Sequence, residues 1–151
     1  MKNEFKIISD LLPKNCRVLD VGCGDGTLMQ HLSSEKNIDV RGLELEEDNV
    51  KICISKGLSV IEGDAETELD QFPDKSFDYV ILSQTLQAFY SPVNVLEHLL
   101  RIGKSSIVSI PNSSSFRVIF ILSLRDKDIP DCWAPSLRVV SYNSIFNVRS
   151  Y

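Results

Sequence analysis

The sequence predicts an α/β protein built on a doubly wound, mostly parallel sheet, and three observations predict it. The apolar run Val18-Leu19-Asp20-Val21 breaks into glycines at alternate positions, Gly22, Gly24 and Gly26, and a helical pattern starts directly behind them at Thr27, Leu28 and Met29. Strand-type and helix-type patterns then alternate along the chain, as they do where helical crossovers join parallel strands. The run Phe77-Asp78-Tyr79-Val80-Ile81-Leu82 is nearly continuous in apolar residues, as in a central parallel strand buried on both faces.

Each element has a local reason. Residues 3–12 place Phe5, Ile8 and Leu12 near one helical face, and Pro13 ends the run. A strand over 16–21 and a helix over 27–34, with Leu28 and Leu32 one turn apart, flank the glycine turn. A second strand, 40–43, ends at Glu44. The next helix, 47–56, sets Val50, Cys53 and Ile54 on one side, and Gly57 follows where a left-handed residue closes a helix. Residues 59–62 form a third strand that stops at Gly63-Asp64. The stretch 66–74 is polar apart from Leu69 and Phe72, which fits a short helix or a loop.

Beyond the fourth strand, Ser91-Pro92 supplies an N-cap and a first-turn proline. Val93, Leu96, Leu99 and Leu100 follow, and Arg101 and Gly103 close that helix. A fifth strand spans 105–110, and residues 113–124 fit another helix anchored by Phe116, Ile119, Phe120 and Leu124.

Composition bounds the function. A chain of 151 residues suits one domain and can bury roughly 70% of its unfolded surface, enough for a core without disulfides. A net charge of −5 argues against nucleic acid as a partner, since such a face needs a basic stripe. The start Met1-Lys2-Asn3-Glu4-Phe5-Lys6 lacks the apolar core of a signal peptide, and no stretch reaches the ~18 apolar residues of a membrane span. A cytoplasmic protein without membrane contact is expected. Cys16, Cys23, Cys53 and Cys132 have no C-x-x-C pair and no ligand spacing, so free thiols and no metal site are expected.

The glycine turn leaves no side chain between Gly22, Gly24 or Gly26 and a small ligand, and the helix start offers unpaired N–H groups. A dinucleotide fingerprint, G-x-G-x-x-G, has its third glycine one residue later than here, while Asp20 and Asp25 flank the turn. Two carboxylates suit a cationic or amino-acid ligand better than a phosphate. Asp20, Glu44 and Asp64 each end a strand, one strand–helix unit apart, so a parallel sheet brings them to one edge. There Glu44 can accept from both hydroxyls of a ribose. Asp64 can accept from an adenine amino group while the N–H of Ala65 donates to the ring. Ser83, Gln84 and Gln87 follow the fourth strand and are expected beside an acceptor or partner site. None of them titrates usefully, and His31 and His98 fall on crossover helices, so no general base stands out.

The glycine turn and the acids that follow it resemble the nucleotide-binding signature of class I S-adenosylmethionine-dependent methyltransferases. More narrowly, residues 17–26, 42–49, 72–88 and 107–112 resemble the MetW (methionine biosynthesis protein W) family, and Phe77-Asp78-Tyr79-Val80-Ile81-Leu82-Ser83-Gln84-Thr85-Leu86-Gln87 is close to a family signature. The resemblance covers residues 15–125. It implies a Rossmann-like class I methyltransferase fold, S-adenosylmethionine as cofactor, and a place in methionine biosynthesis beside a homoserine acyltransferase. The reading that follows is a methyltransferase acting on a small molecule. Its alternative is a non-catalytic module that binds S-adenosylmethionine or S-adenosylhomocysteine and regulates the acyltransferase. A nicotinamide oxidoreductase is disfavoured by the glycine spacing and by Asp64.

Residues 1–125 are therefore expected to form the cofactor-binding domain, with 126–151 a divergent tail. That tail either completes the sheet, through a hairpin of 137–142 and 145–150 laid against the fifth strand, or reflects a truncated or frame-altered gene. Without the hairpin, residues 105–110 would be an apolar sheet edge open to self-association.

Overall fold

In the computed structural model, which describes residues 3–83, 85–111, 117–123, 136–141 and 144–147, every alternation expected up to the fifth strand is present. The order is α1 (Asn3–Leu11), β1 (Arg17–Val21), α2 (Thr27–Lys36), β2 (Asp39–Glu44), α3 (Glu47–Ser55) and β3 (Ser59–Glu62). There follow α4 (Ala65–Glu68) with a 3-10 turn at Leu69–Gln71, β4 (Phe77–Ser83), a 3-10 turn at Leu86–Ala88, α5 (Pro92–Ile102) and β5 (Gly103–Pro111). These five strands pair in parallel in the order β3-β2-β1-β4-β5. The chain winds outward from β1 to β3 and then crosses to β4 on the other side of β1. The strand order reverses between β1 and β4, and such a reversal opens a ligand crevice at the carboxyl ends.

Burial on the two faces follows the period of two. Val18 and Ile81 pack with Ile8, Leu12, Leu28 and Leu32 under α1 and α2, while their neighbours Leu19, Val80 and Leu82 pack with Leu69, Val95, Leu99 and Ile102 under α4 and α5. Each fully buried aliphatic side chain contributes about 1.5–3 kcal/mol. Helix α1 is tied down at its C-terminal end by Lys36, whose Nζ donates to the carbonyls of Ser9 and, at 2.6 Å, Leu12. Arg101 performs the same service for the 66–74 stretch. Its Nη1 donates to Phe72 O at 2.6 Å and Asp74 Oδ1 at 2.7 Å, and its Nη2 to Leu69 O at 2.9 Å.

Several local expectations need correction. Ile54 and Val93 are 62% and 67% exposed, because the buried stripes run through Val50 and Cys53 on α3 and through Val95, Leu99 and Ile102 on α5. Ser91 begins α5 without a side-chain cap. Instead its N–H donates to Glu66 Oε1 at 2.8 Å, and its carbonyl accepts the N–H of Val95 at 3.2 Å.

The larger correction concerns residues 113–124, expected as a helix. Arg117–Ser123 form a strand, β6, antiparallel to β5, with Ser106 opposite Leu122 and Pro111 opposite Arg117. The segment Val118-Ile119-Phe120-Ile121-Leu122 is dense in β-branched and aromatic residues, and pairing with β5 satisfies backbone groups that a helix would leave bare on the strand's edge. The expected hairpin exists as β7 (Ser136–Ser141) and β8 (Ser144–Asn147), antiparallel to each other. It pairs with β6, however, and not with β5. Residues 105–110 are thus an interior strand, and the route to self-association through that edge is removed. Gln84, Asn112 and Cys132 lie outside the described residues.

Candidate functional site

The site begins where β1 ends. Asp20 sits between Gly42 of β2 and Ile81 of β4, and is 2% exposed. Behind it the chain passes through Gly22, Gly24 and Gly26, all with left-handed φ of +70°, +58° and +79°. The N–H groups of Gly22 and Cys23 donate to Leu43 O at 2.7 and 3.3 Å, and the N–H of Gly24 donates to Glu44 Oε2 at 2.7 Å. Helix α3 and its end grip the loop from the other side. Cys53 Sγ donates to Gly24 O at 3.3 Å, and Lys56 Nζ to Asp25 O at 2.8 Å. Asp25 Oδ1 accepts from Thr27 N at 3.0 Å and Thr27 Oγ1 at 2.6 Å, which fixes the start of α2.

Two of the glycines have different reasons to be glycine. A Cβ on Gly24 would meet nothing within 4 Å, so this position faces open space. A Cβ on Gly26 would lie 2.5 Å from Leu58 Cδ1 and 3.0 Å from Cys53 Sγ, so that position is closed by packing.

A cavity of about 700 Å³ is lined by Phe5, Asp20, Asp25, Asn49 and Ser83 together with the glycine loop. A second, of about 430 Å³, is lined by Glu44, Glu46, Asp64, Ala65, Glu66, Thr85, Phe89 and Tyr90. Both include Gly22, Gly24 and Asn49, so they are two halves of one trough that crosses the glycine loop. Among the described residues no lysine or arginine lines either half.

Burial, reinforced by the nearby Glu44 carboxylate, pushes the Asp20 carboxyl up to about 7. Burial, reinforced by Asp20, likewise drives the Cys23 thiol far above its ordinary range, so Cys23 is a packed thiol and not a nucleophile. Thr85 Oγ1 is buried without a hydrogen-bond partner among the described residues.

Asp20, Gly22, Gly24, Glu44, Asp64 and Ala65 therefore line one trough. Gly26 stands behind it and N-caps α2 with no side chain of its own. Asp64 also caps α4, its Oδ1 accepting from Glu66 N at 2.9 Å. Ser83 reaches the larger half and donates to Glu4 Oε1 at 2.9 Å. Gln87 is exposed on the Leu86–Ala88 turn, away from the lining of either half. His98 Nδ1 lies 3.2 Å from Arg101 Nη2, on α5, and neither it nor His31 is in the lining.

Sequence reasoning passed over Glu4 and Asn49, and placed Thr85 after the fourth strand without counting it in the site. Only Glu4 carried a signal: it stands four residues before Ile8, on the stripe that α1 buries.

The donor set fits S-adenosylmethionine. Glu44 and Asp64 offer acceptors suited to ribose and adenine. Asp20 is a buried carboxylate that no donor reaches among the described residues, and it suits a cationic end. The family model of methionine biosynthesis protein MetW matches residues 2–141, beyond both ends of the stretch that carries the resemblance.

The chain belongs to the MetW family.

A relative from Rhodopirellula baltica, the bifunctional methionine biosynthesis protein MetXA/MetW, is 34% identical over 113 residues, which make up 70% of this chain and 18% of that protein. Ajmaline N-methyltransferase of Rauvolfia serpentina is 27% identical over 115 residues, or 71% of this chain and 38% of that enzyme. The chain thus spans well under half the length of either relative. Among solved structures, a SAM-dependent methyltransferase from Archaeoglobus fulgidus superposes with a TM-score of 0.61 at 28% identity, over 72% of this chain and 54% of that one. One from Thermotoga maritima gives 0.61 at 28%, over 72% and 50%. This MetW chain is a methyltransferase-like protein by its fold. Among its described residues no helix is long and apolar enough to cross a membrane, and no group of three or more metal-ligating side chains is assembled.

Proposed function

We propose that the protein binds S-adenosylmethionine along the trough and transfers its methyl group to a small molecule of methionine metabolism, in the cytoplasm and beside a homoserine acyltransferase. The observation that carries this reading is the shared trough: the acids ending β1 and β2 and the one following β3, namely Asp20, Glu44 and Asp64, line it on both sides of the glycine loop. Glu44 holds the ribose hydroxyls, Asp64 and Ala65 hold the adenine edge, and the Asp20 half takes the amino-acid end.

The cofactor supplies a methyl group activated by its positive sulfur. The chain's own residues bind, orient and keep water from the reacting groups, which is most of what an in-line methyl transfer needs. Ser83, in the lining of the larger half, flanks the acceptor, and the exposed Gln87 is open to a partner. The two-part name of the Rhodopirellula relative supports an acyltransferase partner.

Calorimetry with S-adenosylmethionine, S-adenosylhomocysteine and NAD tests the reading, repeated with a homoserine acyltransferase present. The expected outcome is one-to-one binding of the first two and none of NAD. Failure to bind S-adenosylmethionine overturns it. Binding that alters the acyltransferase rate without methyl transfer replaces the enzyme by the regulatory module.

A further inference from the structure

One end of the sheet is open. Among the described residues β3 (Ser59–Glu62) pairs with β2 on one side only and closes the strand order. The Gly63 N–H donates to Glu44 O on β2 at 2.9 Å, and backbone groups alternate sides along a strand. Ser59 and Ile61 therefore turn their N–H and C=O groups towards β2, while Val60 and Glu62 turn theirs outward. Side chains alternate as well. Val60 packs against the cluster that holds Cys53, and Ile61 is left 42% exposed on the opposite face. Ile52 and Ile54, on the helix that feeds β3, are also exposed. The strand has no proline, no lysine and no bulge to turn a second strand away.

This edge complements itself in one register. A closed pair of identical chains is two-fold, and strands that pair across the axis run antiparallel. With Ile61 on the axis, Val60 stands opposite the partner's Glu62, and the two exchange both backbone hydrogen bonds; the symmetry repeats the exchange. Every outward group of β3 is then paired. Ile61 meets the partner's Ile61 in the close, non-hydrogen-bonded position, which covers the exposed side chain. Moving the axis to Glu62 sets two carboxylates face to face. Moving it to Val60 places Glu62 opposite the partner's Leu58, and the Leu58 N–H is already given to Cys53 O at 3.0 Å.

We propose that β3 is an interface for a second copy of this chain, paired antiparallel across a two-fold axis at Ile61 to make one continuous sheet. The proposal is independent of the cofactor reading. It places self-association at the opposite end of the sheet from β5, whose edge β6 covers. Because β3 leads directly into Gly63 and Asp64, which line the smaller half of the trough, the interface lies beside the site.

Sedimentation equilibrium on the full chain over about a hundredfold range of dilution tests it. The expected result is a reversible monomer–dimer equilibrium. Val60→Pro removes an outward N–H without touching the bonds to β2, and Ile61→Lys sets two like charges together at the axis. Each should weaken the dimer at least about tenfold, with thermal melting to confirm a folded chain. Oxidative cross-linking reads the register. Ile61→Cys should link two copies beyond the wild-type background, since the facing Cα atoms of such a pair lie about 4.5 Å apart. Ser59→Cys should not, because the same register holds its two copies more than about 12 Å apart. A wild type that stays monomeric overturns the proposal, and so does a dimer that Val60→Pro and Ile61→Lys both leave intact. Cross-linking of Ser59→Cys as readily as Ile61→Cys overturns the register, and the two-fold pairing with it. A chain that is monomeric alone, and cross-links through Ile61→Cys only to an added homoserine acyltransferase, gives the edge to that protein and overturns the proposal as well.

Discussion

Gly24 and Glu44 are joined across the crest of the site: the Gly24 N–H donates to Glu44 Oε2 at 2.7 Å while Glu44 Oε1 accepts from Glu46 N at 2.9 Å. One carboxylate, 7% exposed, thus shapes the glycine loop and the start of α3 and also lines the smaller half of the trough.

Glu44→Ala is therefore expected to weaken S-adenosylmethionine by about 10- to 150-fold, the range for a hydrogen bond to a charged group worth about 1.5–3 kcal/mol. It should also lower the melting temperature, because two backbone N–H groups lose their acceptor. Glu44→Gln keeps the shape and one acceptor oxygen, so its melting loss should be smaller. Calorimetry and thermal denaturation read the two effects separately. Full affinity in a folded Glu44→Ala protein would remove the ribose assignment.

Gly24 and Gly26 share a left-handed backbone but differ in surroundings, and so should their variants. Alanine at either position costs about 1 kcal/mol or more in backbone strain. Gly26→Ala adds a clash with Leu58 and Cys53, and is expected to be the less stable protein by urea denaturation. The Cβ of Gly24→Val meets no protein atom within 4 Å, and the branched side chain is directed at open space beside the loop, so this variant should lose ligand affinity out of proportion to its stability. Normal binding by Gly24→Val would make the open face of the loop irrelevant to the ligand.

Asp20 predicts an inverted pH dependence. Its carboxyl titrates near about 7 in the folded protein, against about 4 in an unfolded chain, so between those values the folded state holds the extra proton. The Asp20 contribution to the stability of the ligand-free protein is full below pH ~4 and is lost as pH rises towards ~7. A cationic ligand prefers the ionised form, so affinity should climb with pH and level off above ~7, with a slope approaching tenfold per pH unit on the acid side. Asp20→Asn should flatten both profiles. Kd measured from pH 5.5 to 8 decides it, and a flat wild-type profile would show that Asp20 does not face the cation.

Arg101 predicts a stability effect without a binding effect. Its guanidinium holds the carbonyls of Leu69 and Phe72, whereas the Asp74 carboxylate it also touches is largely exposed and adds little. Arg101→Leu should cost roughly 2 kcal/mol by leaving those carbonyls unsatisfied, with S-adenosylmethionine affinity within a few-fold. Lysine cannot reproduce the fork and should rescue only part of the loss. A large drop in affinity would mean that the Leu69–Asp74 stretch positions the Asp64 side of the trough.

The sequence by itself determined the parallel half of this protein and which acids and glycines come together along one trough. Val18 to Gly26 can form little else than a strand feeding a glycine turn, and acids one strand–helix unit apart must share an edge once the strands are parallel. Those relations are local, or repeat with the chain's own period, so they can be read along one dimension. Tertiary structure alone decided the rest. Residues 117–123 carry a helical spacing and a strand composition at once, and the open edge of β5 settles the contest because its backbone groups need partners. Glu4 looks like an ordinary first-turn acid until Ser83 and Ser109, 79 and 105 residues away along the chain, close on it. Nothing local encodes that meeting; it follows from β4 and β5 ending in register beneath the helix that covers them.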